Sequence, residues 1–315
     1  MQILDAIDST GWCTDGRVSA LNSYENRVYS VGMENGETLI AKFYRPGRWS
    51  DETILEEHAF CDALVDHDLP VIAPLKDSRG QSLHRHGPFR FCLFNRAGGR
   101  SPELDNPEQL AVIGRTIGRL HLVADTFQFD HRPFIDAFRL GDDSADYLLE
   151  SDALPLEQAR VYESVIDDLL PEVHDRLDAV DYREICLHGD FHPGNILWGS
   201  DGTPHLLDFD DTATGPATQD LWMFISGERE YAQARLGDLL DGYHEFRDFD
   251  ERELALIEPL RTLRIIHYAA WIARRWEDPA FVQAFPFFAE ARFWDEHIQS
   301  LREQRAALDE PALIY

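Results

Sequence analysis

Several features of secreted and membrane proteins are missing from this sequence. No apolar run approaches the roughly 20 residues that a membrane-spanning helix requires. The first residues, MQILDAIDSTGW, lack the basic start and the apolar stretch of a secretory signal. The cysteines Cys13, Cys61, Cys92 and Cys186 are far apart and form no CxxC pair, so neither a zinc site nor a disulfide framework is predicted. We therefore expect a cytoplasmic protein without a membrane partner, whose cysteines are buried thiols.

Positive charge is also scarce. The chain has 29 Lys and Arg against 58 Asp and Glu, a formal net charge of −29. Nucleic-acid binding needs a basic face that releases counterions from phosphates, so this charge balance argues against a nucleic-acid partner. An anionic ligand could bind only where Lys, Arg, helix N-termini or a divalent cation reverse the local field. We interpret most of the acidic excess as a solvated surface.

The order of predicted elements indicates an α+β protein of two lobes. Strand-forming runs flank Asn35-Gly36, a common hairpin turn, and predict a hairpin from about Arg27 to Tyr44. Ser50 with the acids after it predicts a helix start. From about Asn106 nearly every segment reads as helix, which predicts a small β-rich N-terminal lobe over 1–95, a hinge linker over 96–100 and a larger mainly helical C-terminal lobe over 101–315.

The second of the predicted helices has one buried face. In the segment PEQLAVIGRTIGRLHLVAD, apolar residues recur at spacings of three and four, the period of an amphipathic helix. The residues are Leu110, Ile113, Ile117 and Leu120.

The segment HGDFHPGNILW, followed by LLDFDD, concentrates chemically active side chains around a Pro-Gly turn. Two chemistries compete for it. If the backbone is extended, His188, Asp190 and His192 point to one face and could hold zinc or manganese in a metal-dependent hydrolase. That alternative needs further ligands, and the other histidines of the chain are scattered without metal spacing.

A phosphotransferase explains more of the same residues. Asp190 with Asn195 five positions later reproduces the D-x-x-x-x-N pattern of the protein-kinase catalytic loop. Asp208 ends an apolar strand and precedes Phe209, as the magnesium-binding aspartate of the Asp-Phe-Gly motif does. Asp210 stands where that motif has glycine, and it could bind a second magnesium or cap the next turn.

A lysine and a glutamate upstream complete this pattern. Lys42 lies in the second hairpin strand, in the position of the kinase V-A-I-K lysine. Glu57 shares a helix face with Ile54, Cys61 and Leu64, so we expect it to be buried and to need a cationic partner. Lys42 is the natural partner, although an error of one residue in the helix phase would exchange Glu57 for its neighbour, Glu56.

Together these motifs resemble a known family. HGDxHxxN followed by a strand ending in Asp is similar to the aminoglycoside phosphotransferase and choline kinase superfamily, which has a protein-kinase-like fold. LNSYENRVY, KFYRP-x-RW, ILEEH, HGD-x-H-x-GNILW and GPATQDLWM resemble the stress response kinase A family more narrowly, and IEPLRTLR with AWIARRWEDPAF extends the similarity to Phe281. The resemblance implies a bilobal, ATP-dependent serine/threonine protein kinase of the bacterial cytoplasm, linked to stress survival.

The resemblance also implies roles for individual residues. ATP and Mg²⁺ would be the cofactors, with a Ser/Thr-bearing protein as substrate, and we expect a monomer. The implied roles are Asp190 as catalytic base, Asn195 and Asp208 as magnesium ligands with Asp208 also catalytic, Lys42 as phosphate anchor supported by Glu57, and Ser23 as a phosphate-loop contact. SYENRV replaces the glycine-rich loop of ordinary protein kinases here, so covering the phosphates would depend on backbone amides and polar side chains of residues 22–26.

Alternatives remain open at this point. Within the same fold, the chain could phosphorylate a small molecule such as an amino alcohol, an aminoglycoside or a sugar. Outside it stand the metal-dependent hydrolase and a catalytically dead, nucleotide-sensing interaction protein. One helical stripe also lacks a role: we expect its arginines to pair with neighbouring carboxylates, and the competing hypothesis makes it a substrate-facing wall. The stripe consists of Arg261, Arg264, Tyr268, Trp271 and Arg275.

Overall fold

The computed structural model describes residues 2–315. Its N-terminal region contains one helix followed by an antiparallel sheet. After helix α1 (Gln2–Asp8), the sheet has the strand order β1-β2-β3-β5-β4. The strands are β1 (Thr14–Ala20), β2 (Arg27–Met33), β3 (Thr38–Phe43), β4 (His84–His86) and β5 (Phe89–Asn95). The predicted hairpin is confirmed: Arg27 lies opposite Phe43, and Gly36 in the turn has φ +87°, a left-handed conformation that favours glycine. Strand β1 was not predicted, because most of its residues are exposed and carry no apolar alternation.

Helix α2 (Asp51–Asp66) follows the hairpin and packs one face inward. The Ser50 side chain accepts a hydrogen bond from the Thr53 N–H, which confirms the predicted N-terminal cap. Ile54, Glu57 and Cys61 are buried, as the helix phase predicts. The helix therefore brings a glutamate into the interior of the N-terminal region.

Helix α3 (Pro107–Ala124) buries the predicted apolar face, because its four marker leucines and isoleucines are at most 1% exposed. Short strands then precede and follow the motif segments: β6 (Ile185–Leu187), β7 (Ile196–Trp198), β8 (Pro204–Leu206) and β9 (Ala213–Gly215). Strands β7 and β8 form an antiparallel pair, and β8 ends at Leu206, one residue before the predicted end at Leu207. The remaining helices are α4 (Asp143–Glu150), α5 (Leu156–Asp178), α6 (Arg229–Tyr243), α7 (Ile257–Ala273), α8 (Pro279–Ala284) and α9 (Ala291–Leu308).

The chain forms two compact units, each made of several segments. The first unit comprises the chain up to Pro133, with His188–Ala213 and Asp238–Arg247; the second comprises Phe134–Leu187, Thr214–Gly237 and Asp248–Tyr315. The predicted hinge at 96–100 lies inside the first unit, so the division of the chain into lobes at 1–95 and 101–315 stays a prediction. All predicted site residues belong to the first unit.

Each unit has its own apolar core. In the first unit, Val31, Ala41, Phe91 and Leu93 pack with Ile7 of α1. In the second, residues of α4, α5, α7 and α9 form one large core that is rich in aromatic rings. The four cysteines are free thiols, of which Cys13 is exposed and the other three are buried. Among residues 2–315, no helix has both the length and the apolar character needed to cross a bilayer.

Candidate active site

Lys42 lies at the centre of a buried charged cluster. Its position on β3 is opposite Val28 of β2 and Cys92 of β5, so strands cover it on both sides, and the residue is 5% exposed. Its Nζ lies 2.9 Å from Asp210 Oδ1, 3.3 Å from Asp208 Oδ1 and 3.4 Å from Glu57 Oε1. One lysine is therefore shared among three carboxylates, which keeps its charge in the interior.

Burial and neighbouring charges shift the pKa values of this cluster. Burial opposes the charge of Lys42, but the carboxylates of Asp210, Glu57 and Asp208 raise the lysine pKa well above its usual value. Burial raises the pKa of Glu57 to about 7 despite Lys42, since the nearby carboxylate of Asp210 also disfavours a second negative charge. Asp210 is the closest acid to Lys42, and the lysine together with Arg48 lowers the pKa of Asp210 in spite of burial. Asp210 is thus the acid that most firmly holds its negative charge.

The helix phase predicted at Glu57 is correct. Glu57 is 2% exposed and contacts Lys42, whereas Glu56 turns outward. The Glu56 carboxylate accepts hydrogen bonds from the backbone N–H groups of residues 130–132, at 2.7 to 3.0 Å. The two neighbouring glutamates therefore have different tasks, one beside the lysine and one bracing a loop.

The segment 188–195 forms a tight loop between β6 and β7. Gly189 has φ +83°, and a Cβ there would lie 2.1 Å from the Asp211 carbonyl oxygen, so only glycine fits beside the Asp208–Asp211 turn. The Asn195 amide donates a hydrogen bond to the Asp190 carbonyl oxygen at 2.9 Å, which leaves the Asn195 Oδ1 for another ligand. The His192 ring accepts a hydrogen bond from Gly194 N at 3.0 Å, and its other nitrogen lies 3.5 Å from Asp190 Oδ2. The loop's own contacts therefore set the position of Asp190.

Asp208 adopts a backbone conformation that is unusual for its residue type. Its φ and ψ are +62° and +64°, the left-handed region, which costs a residue with a Cβ of order 1 kcal/mol or more. The Lys42 contact and the turn Phe209–Asp211 after it keep the residue in that state. Its side chain is 54% exposed although the next two residues, Phe209 and Asp210, are buried, so a carboxylate is presented outward from a rigid base.

His188 has structural contacts with the loop and with the strand before Asp208. The residue is fully buried, its ring stacks on Phe191 with centroids 4.7 Å apart, and its Nε2 hydrogen-bonds the Leu207 carbonyl oxygen at 3.1 Å. The histidine therefore ties the loop to the strand that leads to Asp208. Within residues 2–315, no three His, Cys, Asp or Glu side chains are grouped as ligands of one metal ion. The trio His188, Asp190 and His192 is not assembled, and the hydrolase interpretation is not supported.

Ser23 stands apart from these residues. It is half-buried in the segment 21–26 between β1 and β2, and it makes no side-chain hydrogen bond to any residue in 2–315. In the stripe of Arg261, Arg264, Tyr268, Trp271 and Arg275, one arginine forms the expected ion pair and another lies over an aromatic ring. Arg261 pairs with Glu258 at 3.2 Å, as expected for an arginine in an acidic chain, whereas Arg275 lies over the Trp271 ring at 5.3 Å.

The sequence analysis missed Arg48 and Arg132 beside the cluster, and it named Asn26 only as part of the phosphate-covering segment 22–26. Asn26 and Arg48 contact the Asp210 carboxylate, and Arg132, 4% exposed, donates to the Asp210 carbonyl oxygen at 2.6 Å. Arg48 lies in the stretch KFYRP-x-RW, where its basic character was the only signal. Asn26 and Arg132 have no pattern around them that indicates a long-range contact.

The fold and this cluster define a class of protein. A strand lysine paired with a helix glutamate, next to an Asp-x-x-x-x-Asn loop and an aspartate after a short strand, is the arrangement of phosphotransferases with a protein-kinase-like fold. Residues 17–257 match the model of the phosphotransferase enzyme family.

Curated relatives and solved structures agree with that class. Stress response kinase A of Escherichia coli is 40% identical over 99% of this chain and 94% of its own length, and the same figures hold for the serine/threonine protein kinase RdoA of Salmonella typhimurium. The structure of amicoumacin kinase hAmiN in complex with AMP-PNP, Ca²⁺ and Ami superimposes with a TM-score of 0.75 at 21% identity, covering 95% of this chain and 90% of that one. Choline kinase LicA from Streptococcus pneumoniae gives 0.65 at 14% identity, covering 97% of this chain and 98% of that one.

The chain therefore belongs to the phosphotransferase enzyme family and, within it, to the stress response kinase A family. It is an ATP-dependent kinase with the α+β, bilobal, protein-kinase-like fold that the sequence predicts.

Proposed function

We propose that this kinase transfers the γ-phosphate of ATP to a serine or threonine hydroxyl of a protein, with Asp190 as base. The observation that carries the proposal is Lys42, buried and held by Glu57, at 3.3 Å from Asp208. A buried cation fixed in this way can align phosphate groups without reorganising during the reaction. Small-molecule kinases have a similar fold, so the acceptor class needs separate support.

Asn195 and Asp208 are the residues that would hold the metal. Carboxylate and amide oxygens suit Mg²⁺, and the half-exposed Asp208 side chain and the remaining Asn195 oxygen offer that donor set. Bound magnesium would neutralise charge on the phosphate oxygens. The four free cysteines, one of them exposed, fit the proposed cytoplasmic location, where thiols stay reduced.

The residues of the chain divide the remaining work. The acceptor hydroxyl oxygen forms a bond to the γ-phosphorus while the bond from that phosphorus to the β–γ bridging oxygen breaks, which releases ADP. Asp190 accepts the hydroxyl proton, and the contacts of the catalytic loop hold its carboxylate in place. Lys42 binds phosphate oxygens, and Glu57 restricts the movement of the lysine. Ser23 would contact the phosphates from the segment between β1 and β2.

Support for a protein acceptor comes from the relatives and from α7. The 40% identical Salmonella protein is named a serine/threonine protein kinase, and this chain covers 94% of it. The stripe Arg261, Arg264, Tyr268, Trp271 and Arg275 is more basic than the acidic and aromatic cage that a small cation such as choline would favour.

Labelled ATP and magnesium, incubated with the purified protein, test the proposal. One arm contains generic protein acceptors and the other a panel of amino alcohols, sugars and aminoglycosides. We expect phosphoserine or phosphothreonine on protein, lost in Asp190→Asn while nucleotide binding measured by calorimetry stays nearly intact, because the base acts on the incoming hydroxyl.

The matched control is Asp201→Asn. Asp201 is an exposed aspartate in the turn between β7 and β8 whose side chain hydrogen-bonds only locally, to Thr203 N at 3.0 Å. Its substitution should leave transfer unchanged. Rapid turnover of a small alcohol without protein labelling would overturn the protein-kinase assignment, and full activity in Asp190→Asn would overturn the role of the base.

A further inference from the structure

Asp210 occupies the position of the glycine in the Asp-Phe-Gly motif of protein kinases, and its surroundings give it a task that a glycine could not perform. The residue is 3% exposed. Arg132 fixes its backbone by donating hydrogen bonds to the carbonyl oxygens of Asp210 at 2.6 Å and of Thr212 at 2.9 Å. The side chain therefore starts from a rigid turn.

Both carboxylate oxygens of Asp210 are engaged by other segments of the chain. Oδ1 forms an ion pair with Lys42 Nζ at 2.9 Å. Oδ2 accepts a hydrogen bond from Asn26 Nδ2 at 3.1 Å and pairs with the Arg48 guanidinium. These contacts are ones that neither of the sequence-based readings, a second magnesium ligand or a cap of the next turn, predicts for the carboxylate.

One partner of Asp210, Asn26, belongs to the segment that replaces the glycine-rich loop. Asn26 ends that segment at β2, and its Oδ1 accepts a hydrogen bond from Arg45 N at 3.1 Å. Arg45 in turn reaches back to the Glu25 side chain, Nε to Oε1, at 3.0 Å. Arg48 lies over the Trp49 ring at 5.1 Å in the loop after β3. Residues 24–26 and 45–49 are thus joined, and Asp210 connects both to Lys42.

We propose that Asp210 is a positioning residue that holds the phosphate-covering segment 22–26 in place through Asn26 and Arg48. In ordinary protein kinases a flexible glycine-rich loop covers the phosphates instead. The inference rests on the proposed function in one respect, that this segment covers the nucleotide phosphates. A chain of side-chain contacts can fix a loop that has no glycine, because each contact removes conformations that the free loop would otherwise sample.

The test compares nucleotide affinity and kinetics in Asn26→Ala, Asp210→Asn and the double variant. Asn26→Ala leaves the pairs of Asp210 with Lys42 and Arg48 intact, so folding is preserved in at least one informative variant. We expect Asn26→Ala to weaken binding of a non-hydrolysable ATP analogue with magnesium about tenfold, since it loses a hydrogen bond to a charged group. Asp210→Asn should weaken binding more, because it also removes the charge paired with Lys42 and Arg48. The double variant should be little worse than Asp210→Asn alone, because both changes remove the same contact.

Exchanging the donor and the acceptor of the hydrogen bond between Asn26 and Asp210 gives a second test. Asn26→Asp alone places a carboxylate against Asp210 and should weaken nucleotide binding more than Asn26→Ala does. Combining Asn26→Asp with Asp210→Asn restores a donor and an acceptor in opposite order, and should recover part of the affinity lost in Asn26→Asp. A purely structural role would lower the melting temperature but leave the affinity and the KM for ATP of the folded protein unchanged.

Asn35→Ala is the matched control. Asn35 lies in the exposed turn between β2 and β3, where it contacts only Glu37, and its substitution should change neither affinity nor KM. Unchanged nucleotide affinity in Asn26→Ala and Asp210→Asn, with normal binding by the wild type, overturns the positioning role and leaves the proposed function standing. Failure of the wild type to bind nucleotide would overturn both.

Discussion

The interiors of the two units differ in one respect. Beside its apolar core, the first contains Lys42, Glu57 and Asp210, all at most 5% exposed, with the lysine in contact with both acids. The core of the second contains Tyr162, Phe281, Phe288 and Trp294, whose rings and apolar neighbours pack around α5 and α9. The first unit thus buries a charged cluster beside its apolar core, whereas the core of the second unit is rich in aromatic rings.

The free energy of burying charged groups differs from that of burying aromatic rings. Removing charges from water costs several kcal/mol per ion, and their mutual attraction often does no more than offset that cost. Burying an aromatic ring stabilises a fold directly, because it removes a large apolar area from water. A buried charged cluster is therefore better explained by a site that needs it than by stability. The predictions below test whether the first interior serves activity and the second serves stability.

The largest effect should follow from Lys42→Ala. We expect the transfer rate to fall about 10²–10³-fold, because a fixed cation that stabilises phosphate charge is lost. Lys76→Ala is the control, since Lys76 is a half-exposed lysine paired with Asp62 at 2.8 Å. Rates measured under saturating ATP, with circular dichroism to verify folding, decide the outcome; an unchanged rate in Lys42→Ala contradicts the role of the cluster.

Trp294→Ala should have the largest effect on stability. The ring is fully buried against Phe288, with centroids 5.1 Å apart, and its removal should lower the free energy of unfolding by about 3–5 kcal/mol. Trp294→Phe should cost less than Trp294→Ala, because it keeps a six-membered ring in the core and loses an Nε1 that has no hydrogen-bond partner among residues 2–315. Urea unfolding measures both, and equal losses in the two variants would show that ring volume does not hold this core together.

The paired glutamates separate the two tasks within α2. Glu57→Gln should slow transfer about tenfold by weakening the restraint on Lys42, the loss expected for one hydrogen bond to a charged group. Glu56→Gln should leave the transfer rate unchanged and loosen the loop at 130–132, whose backbone N–H groups donate hydrogen bonds to the Glu56 carboxylate. Hydrogen exchange of that loop and the transfer rate are the two readouts; the opposite assignment of defects would refute the observed helix phase.

The last comparison concerns the pH dependence of stability. Burial lowers the pKa of His58 to about 3, with further lowering by Lys42, His84 and Arg132 against an opposing effect of Asp210. As pH falls from about 6.5 to about 3, the unfolded chain binds a proton at this histidine and the folded chain does not, so the free energy of unfolding decreases by about 1.4 kcal/mol per pH unit.

His58→Gln should remove this component of the slope. The His58 ring forms hydrogen bonds with Tyr44 Oη at 2.8 Å and with Ser82 Oγ at 2.7 Å. A glutamine can serve both partners without titrating. His67→Gln is the control, because His67 is exposed at the end of α2 and bonds only to the Ala63 carbonyl oxygen. Denaturant unfolding at several pH values between 7 and 4 compares the slopes, and parallel curves for the wild type and His58→Gln would contradict the prediction.

Local patterns in the sequence were sufficient for much of the first unit. The hairpin depends on Asn35-Gly36 between two strand-forming runs, and the start of α2 depends on the Ser50 cap. The burial of Glu57 follows from helical periodicity alone. These signals are readable because the residues that cooperate are at most a few positions apart. The identity of the catalytic loop was readable for the same reason, since Asp190 and Asn195 lie in one turn.

Only the tertiary structure decided how the charges are distributed. Asp208 reaches Lys42 across 166 positions of the chain, Arg48 reaches Asp210 across 162, and Asn26 reaches the same carboxylate across 184. No periodicity relates such residues, because their contact depends on strand order, on the turn at Asp208 and on the packing of α2. The sequence by itself thus determined that a lysine, a glutamate and several aspartates would meet at a phosphotransferase site. Which acid lies closest to the lysine, and which holds the phosphate-covering segment, depended on three-dimensional packing.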